Sequence, residues 1–149
     1  MKLSELISED IKKAMKARET DKLSALRDIK SKILLEQTSG NNKELSEEVE
    51  NKIILKLYKQ RMDTYAIYVE QGRNDLAEEE LFQAKIIESY MPKMLTEDEI
   101  RKEAQDLITA LGASGPSHMG KVMGALTKKL AGKADGKTVS SIVKDLLNN

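Results

Sequence analysis

The residues that come closest to a known chemical motif are Gly115, Gly120 and Lys121, which match the pattern G-x-x-x-x-G-K. In a phosphate-binding loop of this kind, a strand precedes the loop, and a Ser or Thr follows the Lys to reach magnesium. Here Val122 follows the Lys, and the residues before the loop have helical periodicity. The pattern therefore favours a glycine-containing connection between two helices over a site that hydrolyses nucleotides.

A lysine excess distinguishes the segment from Gly112 to Asn149. Six lysines stand there against two aspartates, a local charge of +4, in a chain whose 25 basic and 25 acidic residues balance. Positive charge concentrated on one module indicates a surface for a polyanion. Gly120 and Gly124 lie four residues apart, so one face of their helix is bare backbone that either a phosphate or another helix can approach. We predict an RNA-binding surface formed by Lys121, Lys128, Lys129, Lys133, Lys137 and Lys144 with Gly120 and Gly124.

No group of residues in the sequence assembles a catalytic or metal site. His118 is the single histidine and there is no Cys, so a zinc ion would need carboxylates as its other ligands. The acidic runs at 78–80 and 97–99 fall in predicted first turns of helices, where carboxylates interact favourably with the helix dipole. We therefore expect no catalytic residue, no metal and no cofactor, and we expect His118 to be a surface or capping residue.

The elements that position these residues are all predicted to be helices. Apolar residues recur every three or four positions, and no strand pattern appears. Pro92 has no amide donor and restricts Met91 to an extended conformation, so a helix should end before it. We predict an all-α fold with an N-terminal domain of about four helices (1–92) and a small three-helix tail domain (93–149).

Several polar residues and glycines are placed to begin or end these helices. The turn-rich stretch 38–42 should be an exposed loop. Ser46 is placed to cap one helix, and Gly72 is placed to end that helix in the left-handed conformation. Asp75 with Glu78 resembles a capping pair for the next helix. Thr96 with Glu99 forms a capping box, and Gly112 is placed to end the helix that follows it.

Three segments of the sequence carry a family resemblance. They are YMPKMLTEDEI (90–100), GASGPSHMGKVMGAL (112–126) and KLAGKADGKTVSSIVKDLL (129–147), which follow a helical N-terminal region. Together they resemble the YqeY-like family over nearly the full length. Residues 93–149 also resemble the C-terminal domain of the B subunit of the bacterial glutamyl/aspartyl-tRNA amidotransferase. The resemblance implies two all-helical domains and a tail similar to a module that holds transfer RNA. His118 departs from the pattern, which commonly has Asp there.

The preferred interpretation is a non-catalytic accessory protein that holds tRNA through its tail and is related to the glutamine-dependent amidotransferase machinery. Its partners would be tRNA and an amidotransferase or another protein. Two alternatives stay open: a subunit or homologue of a carbon–nitrogen ligase with glutamine as amide donor, and a helical protein-interaction module. The ligase is disfavoured because no nucleophile, base and oxyanion-binding group can be assembled.

The compartment is predicted from the absence of Cys and from the apolar runs. The first residues become charged within five positions and have no apolar core of a secretory signal. No apolar run approaches the roughly 20 residues that a membrane span needs. These features predict a cytoplasmic protein with no membrane association.

Overall fold

The computed structural model describes residues 2–40 and 44–148, and all regular structure in these ranges is helical. The all-α prediction is confirmed. Chain contacts divide the molecule into two compact units, Met1–Met91 and Pro92–Asn149. The helices are α1 (Leu3–Ala17), α2 (Thr20–Ser39), α3 (Glu47–Glu70) and α4 (Asn74–Glu88) in the first unit, and α5 (Glu97–Leu111), α6 (Met119–Leu130) and α7 (Gly136–Asn148) in the second, where a 3-10 turn (Pro116–His118) precedes α6.

The four helices of the first unit share one apolar core. Fully buried side chains come from every helix, among them Ile7, Leu26, Ile29, Ile54 and Ile87. In α3 the buried residues recur every three positions, and in α1 Ile7 and Ala14 lie two turns apart, so one face of each of these helices packs inward. The most extensive helix pair is formed by α3 and α4, which follow each other through a short turn.

Two polar contacts join distant parts of the first unit. The Arg61 guanidinium on α3 contacts Glu80 of α4 (Nη1–Oε2, 3.1 Å) and Asp28 of α2 (Nη2–Oδ2, 3.5 Å). After α4, the Tyr90 hydroxyl donates a hydrogen bond to Asp10 Oδ2 of α1 at 2.5 Å. The pKa of Tyr90 is raised, mainly because the hydroxyl is partly buried and in addition because it donates this hydrogen bond to Asp10. The contacts of Arg61 join α3 to α2 and α4, and the hydrogen bond of Tyr90 attaches the start of the connecting segment to α1.

The second unit has a separate core made by α5, α6 and α7. Its most buried side chains include Ile100 and Ala104 of α5, Val122 and Leu126 of α6, and Val143 of α7. The Leu95 amide donates to the Lys133 carbonyl at 2.9 Å, which attaches the segment before α5 to the turn between α6 and α7. Because the apolar residues of all three helices meet in this core, their polar residues face outward.

Most of the predicted helix ends are confirmed. The Ser46 hydroxyl accepts from the Val49 amide at 3.3 Å, and both hydrogen bonds of the Thr96–Glu99 capping box are present at 3.2 Å. Gly72 (φ +72°) and Gly112 (φ +63°) adopt the left-handed conformation that follows a helix end. These positions were predictable because each capping bond joins residues within one helical turn.

Two local predictions are wrong in part. Asp75 does not cap α4, which begins at Asn74; its carboxylate instead accepts from the Arg73 guanidinium at 3.1 and 3.2 Å. The hydrogen-bonded turn at Gly72 leads the chain directly into α4, so the helix starts earlier than the acidic pair indicated. The predicted loop 38–42 begins later than expected, because α2 continues through Ser39; Asn41 and Asn42 lie outside the described residues.

Candidate nucleic-acid interface

The connection between α5 and α6 is a closed turn. Gly115 (φ +75°) leads into the 3-10 turn, and His118 Nδ1 accepts a hydrogen bond from the Ser114 amide at 2.8 Å. The element before the turn is α5, a helix, where a phosphate-binding loop requires a strand. His118 therefore stabilises a turn, and α6 begins at Met119.

The outward face of α6 combines bare backbone with positive charge. Val122, Leu126 and Leu130 are buried on the core side, whereas Gly120, Lys121, Gly124 and Lys128 are all exposed. Residues three, four and seven apart share a helix face, so these four exposed residues form one outward surface. A Cβ atom added at Gly120 or at Gly124 would meet no atom within 4 Å. Among the described residues of the second unit, no neighbouring helix fills the space beside the two glycines, so packing inside the unit does not explain them.

Lys129, next in sequence to Lys128, has a different environment. Its Nζ lies 2.8 Å from Glu103 Oε2 on α5. The hydrogen bond to Glu103, with the attraction of the same carboxylate, raises the pKa of Lys129. Its charge is therefore balanced within the protein, and the structure separates Lys129 from the lysines of the outward α6 face.

The other three predicted lysines follow α6. Lys133 lies half-buried in the turn before α7, where its carbonyl accepts the Leu95 amide. Lys137 and Lys144 are exposed and lie seven residues apart on α7, opposite the buried face that holds Val139 and Val143. In the part of the chain that the structure describes, no ion pair involves Lys121, Lys128, Lys133, Lys137 or Lys144.

This arrangement can bind an extended anion, because lysines project from two helix faces and one face also exposes glycine backbone. Within residues 2–40 and 44–148, no group of three His, Cys, Asp or Glu residues is placed to hold a metal ion. None of the helices in those ranges is long and apolar enough to cross a membrane. The Lys129–Glu103 pair could not be predicted from the sequence, because its two residues lie on different helices.

The fold and the surface define an all-helical protein of two units, of which the second presents a lysine-bearing surface. Residues 4–147 match the family described as Yqey-like protein, and the chain belongs to this YqeY-like family. A protein of Kluyveromyces lactis named "Altered inheritance of mitochondria protein 41, mitochondrial" is 30% identical over 140 residues, which are 93% of this chain and 72% of that protein. Proteins of the same name from Lachancea thermotolerans and Clavispora lusitaniae are each 28% identical over 93% of this chain, and 75% and 81% of their own lengths are covered.

The names of these relatives contradict the prediction of a cytoplasmic protein, since all three are called mitochondrial. The prediction rested on the absence of Cys and of an apolar secretory signal. Neither feature distinguishes the cytoplasm from a mitochondrion, because mitochondrial transit peptides are amphipathic and basic, without a long apolar core. The resemblance to the YqeY-like family that the sequence motifs indicated is confirmed.

Proposed function

We propose that this chain is a non-catalytic accessory protein whose second unit, residues 92–149, binds tRNA. The observation that carries the proposal is the outward face of α6, where Lys121 and Lys128 are exposed beside two open glycines. A phosphate group can approach helix backbone closely only where no side chain intervenes. Lysines on the same face then supply the charge that binds it.

The absence of aromatic residues from the tail sequence narrows the kind of RNA contact. All four Tyr and the single Phe of the chain precede residue 92. Single-stranded RNA is commonly held by bases that stack on aromatic side chains, whereas double-helical RNA is recognised through its shape and backbone. A lysine- and glycine-bearing helix surface suits the second mode, and the folded stems of tRNA provide such a backbone.

The relation to amidation rests on family membership and on the resemblance of residues 93–149 to the tail of the amidotransferase B subunit. We propose that the chain acts beside such machinery as an RNA-holding component. A catalytic role as a carbon–nitrogen ligase would require ammonia release from glutamine by the purified chain, and we expect none above background. The open glycine face of α6 would also suit a role of the chain as a helical protein-interaction module. In that role the chain would bind a protein and no RNA.

The proposal is tested by measuring the affinity of the full chain for purified tRNA. The variant Lys121→Gln, Lys128→Gln, Lys133→Gln should bind at least about tenfold more weakly, because phosphate contacts dominate such affinities. The matched control is Lys12→Gln, Lys13→Gln, Lys16→Gln, which removes the same charge from exposed positions of α1. The control should bind like the wild type. Equal losses in both variants, or no tRNA binding by the wild type, would contradict the proposal.

A further inference from the structure

The outer face of α4 combines exposed acidic side chains with the exposed Phe82 and with Ile86, which is half-buried against the core of the first unit. Asp75, Glu79, Phe82 and Ile86 follow one another at steps of four, three and four residues and therefore share a face, with Glu78 at its edge. We name these five residues the α4 outer face. Phe82, the single Phe of the chain, is 49% exposed, which is a large apolar surface for a side chain surrounded by charge.

The charge of the α4 outer face is negative. Glu78 and Glu79 are exposed and make no ion pair within the described ranges, whereas Glu80 is turned inward to Arg61. Asp75 is balanced by Arg73, and Lys85 is the one basic residue in α4. Two carboxylates without a cation therefore lie one helical turn from the exposed phenyl ring.

The apolar end of the α4 outer face lines an open groove of about 470 Å³. Phe82, Ile86 and Ser89 form one wall, and residues 18–22, at the turn between α1 and α2, form the other. This second wall carries two basic residues, Arg18 and Lys22, and two acidic ones, and Lys22 Nζ lies 3.7 Å from Glu19 Oε2. The net negative charge of the surface therefore comes from α4. The groove is held in shape, because Gln83, 5% exposed, donates from Nε2 to the Asp21 carbonyl at 2.8 Å. The groove therefore exists before any partner binds.

We propose that the α4 outer face and this groove dock a basic amphipathic helix of a partner protein. Apolar side chains of that helix would lie on Phe82 and Ile86 and enter the groove, and its Lys or Arg residues would meet Glu78 and Glu79. An arginine can also stack on the phenyl ring. Nucleic acid does not fit, because its phosphates would be repelled by the carboxylates.

A second copy of this chain is the other occupant that the test must separate from a foreign helix. Its α6 and α7 bury their apolar residues in their own core and would supply charge alone. Its α2 exposes Leu34 and Leu35 beside Lys30 and Lys32, so the oligomeric state of the chain is part of the test. The surface lies in the first unit and shares no residue with the proposed tRNA contact in the second.

The test uses the full chain and three synthetic peptides of the same length as α4. The first has Leu every three or four residues along one face and Lys on the flanks; the second replaces Leu by Ser, and the third replaces Lys by Glu. Fluorescence anisotropy at physiological salt should show binding of the first peptide and at least about tenfold weaker binding of the other two, since both apolar and charged contacts are required.

Variants of the chain locate the binding surface. Glu78→Lys with Glu79→Lys should weaken binding of the first peptide about tenfold or more, and Phe82→Ser about fivefold. The matched control, Asp63→Lys with Glu70→Lys, makes the same charge change at exposed positions of α3 and should stay within about twofold of the wild type. Circular dichroism and amide NMR spectra of each variant establish that the fold is retained.

Several results would overturn the proposal. One is that the control variant, Asp63→Lys with Glu70→Lys, weakens binding of the first peptide as much as Glu78→Lys with Glu79→Lys does. Another is that Phe82→Ser leaves binding of this peptide unchanged. A third is that the peptide shifts only NMR signals of residues outside α4 and residues 18–22. Sedimentation of the chain alone should show a monomer at the concentrations used. A dimer that Phe82→Ser dissociates would assign the surface to a second copy, and loss of tRNA binding in the same variant would assign it to RNA.

Discussion

Lys128 and Lys129 are neighbours in sequence, yet their side chains have different roles in the structure. Lys128 shares the open face of α6 with Lys121 and Gly124, whereas Lys129 is paired with Glu103 of α5. The sequence identified the lysine-rich segment and the spacing of the glycines, because both are local properties. It did not separate Lys129 from the others, because that difference depends on how α5 packs against α6.

The open glycines allow a prediction at the residue scale. Gly120→Ala with Gly124→Ala should raise the free energy of unfolding, by up to about 1 kcal/mol at Gly124 and less at Gly120 in the first turn, because Ala favours the helix. The new methyl groups meet no neighbouring atom within 4 Å, so no strain opposes this gain. The same variant should bind tRNA more weakly, because the methyl groups stand between backbone and phosphate. Urea unfolding and tRNA titration measure the two effects, and a loss of stability would show that the glycines serve packing.

Arg61 gives a second prediction at this scale. Arg61→Met leaves the partly buried carboxylates of Asp28 and Glu80 without their shared cation, and it should lower the free energy of unfolding by about 1–3 kcal/mol. Arg73→Met is the matched control, because within the described residues the Arg73 guanidinium pairs with the exposed Asp75 alone. This variant should cause no measurable change. Urea midpoints compare the two variants. Similar midpoints would mean that the contact between the three helices contributes nothing to stability.

At the scale of elements, the sequence predicted helices better than it predicted their starting points. The capping box before α5 and the N-cap of α3 are recognisable because the bonding residues lie three positions apart. Asp75 has a similar local pattern but bonds to Arg73, since the turn at Gly72 brings the chain into α4 earlier. A cap is therefore predictable only where the preceding segment does not already fix the first turn.

The capping box should make the stability of α5 depend on pH. The hydrogen bond from the Thr96 amide to the Glu99 carboxylate is the main reason that the pKa of Glu99 lies below the usual value of 4.5. Hydrogen bonding with the Thr96 side chain lowers the pKa of Glu99 further. A carboxyl group whose folded-state pKa is lowered stabilises the fold above its unfolded pKa, and this contribution is lost as the pH falls through the folded pKa. The stability difference between the wild type and Glu99→Ala should therefore be present at neutral pH and vanish in acid.

Urea unfolding followed through the amide NMR signals of α5 measures this pH dependence. Glu97→Ala is the control, because it removes a carboxylate from the same turn without removing a capping bond. A difference between the wild type and Glu99→Ala that persists unchanged in acid would show that the carboxylate does not act through the capping bond.

At the scale of the whole molecule, periodicity and motifs predicted the all-α class and the family, both of which are confirmed. Contacts between residues far apart in the chain were not predictable, and the Tyr90–Asp10 hydrogen bond is the clearest example. It shows that the first residue of the 90–100 motif anchors the end of the first unit to α1. Part of the family motif is therefore explained by folding, and the proposed RNA-binding surface lies elsewhere in the chain.

The two separate cores lead to a prediction about autonomy. Fragments 1–91 and 92–149 should each retain helical circular dichroism, since each contains its own buried cluster. The smaller fragment should be the less stable one, because a chain of roughly 60 residues buries a smaller share of its surface. Thermal unfolding of both fragments tests this. If neither fragment is helical, the two units depend on each other to fold.

The salt dependence of tRNA binding tests the proposed role most directly. If three or four of the outward lysines contact phosphates, a plot of log affinity against log salt concentration should have a slope of roughly −2 to −3, because counterions are released on binding. Lys121→Gln with Lys128→Gln and Lys133→Gln should flatten that slope, whereas the α1 control variant should keep it. A slope near zero, or one that the tail lysines do not change, would contradict RNA binding by the second unit.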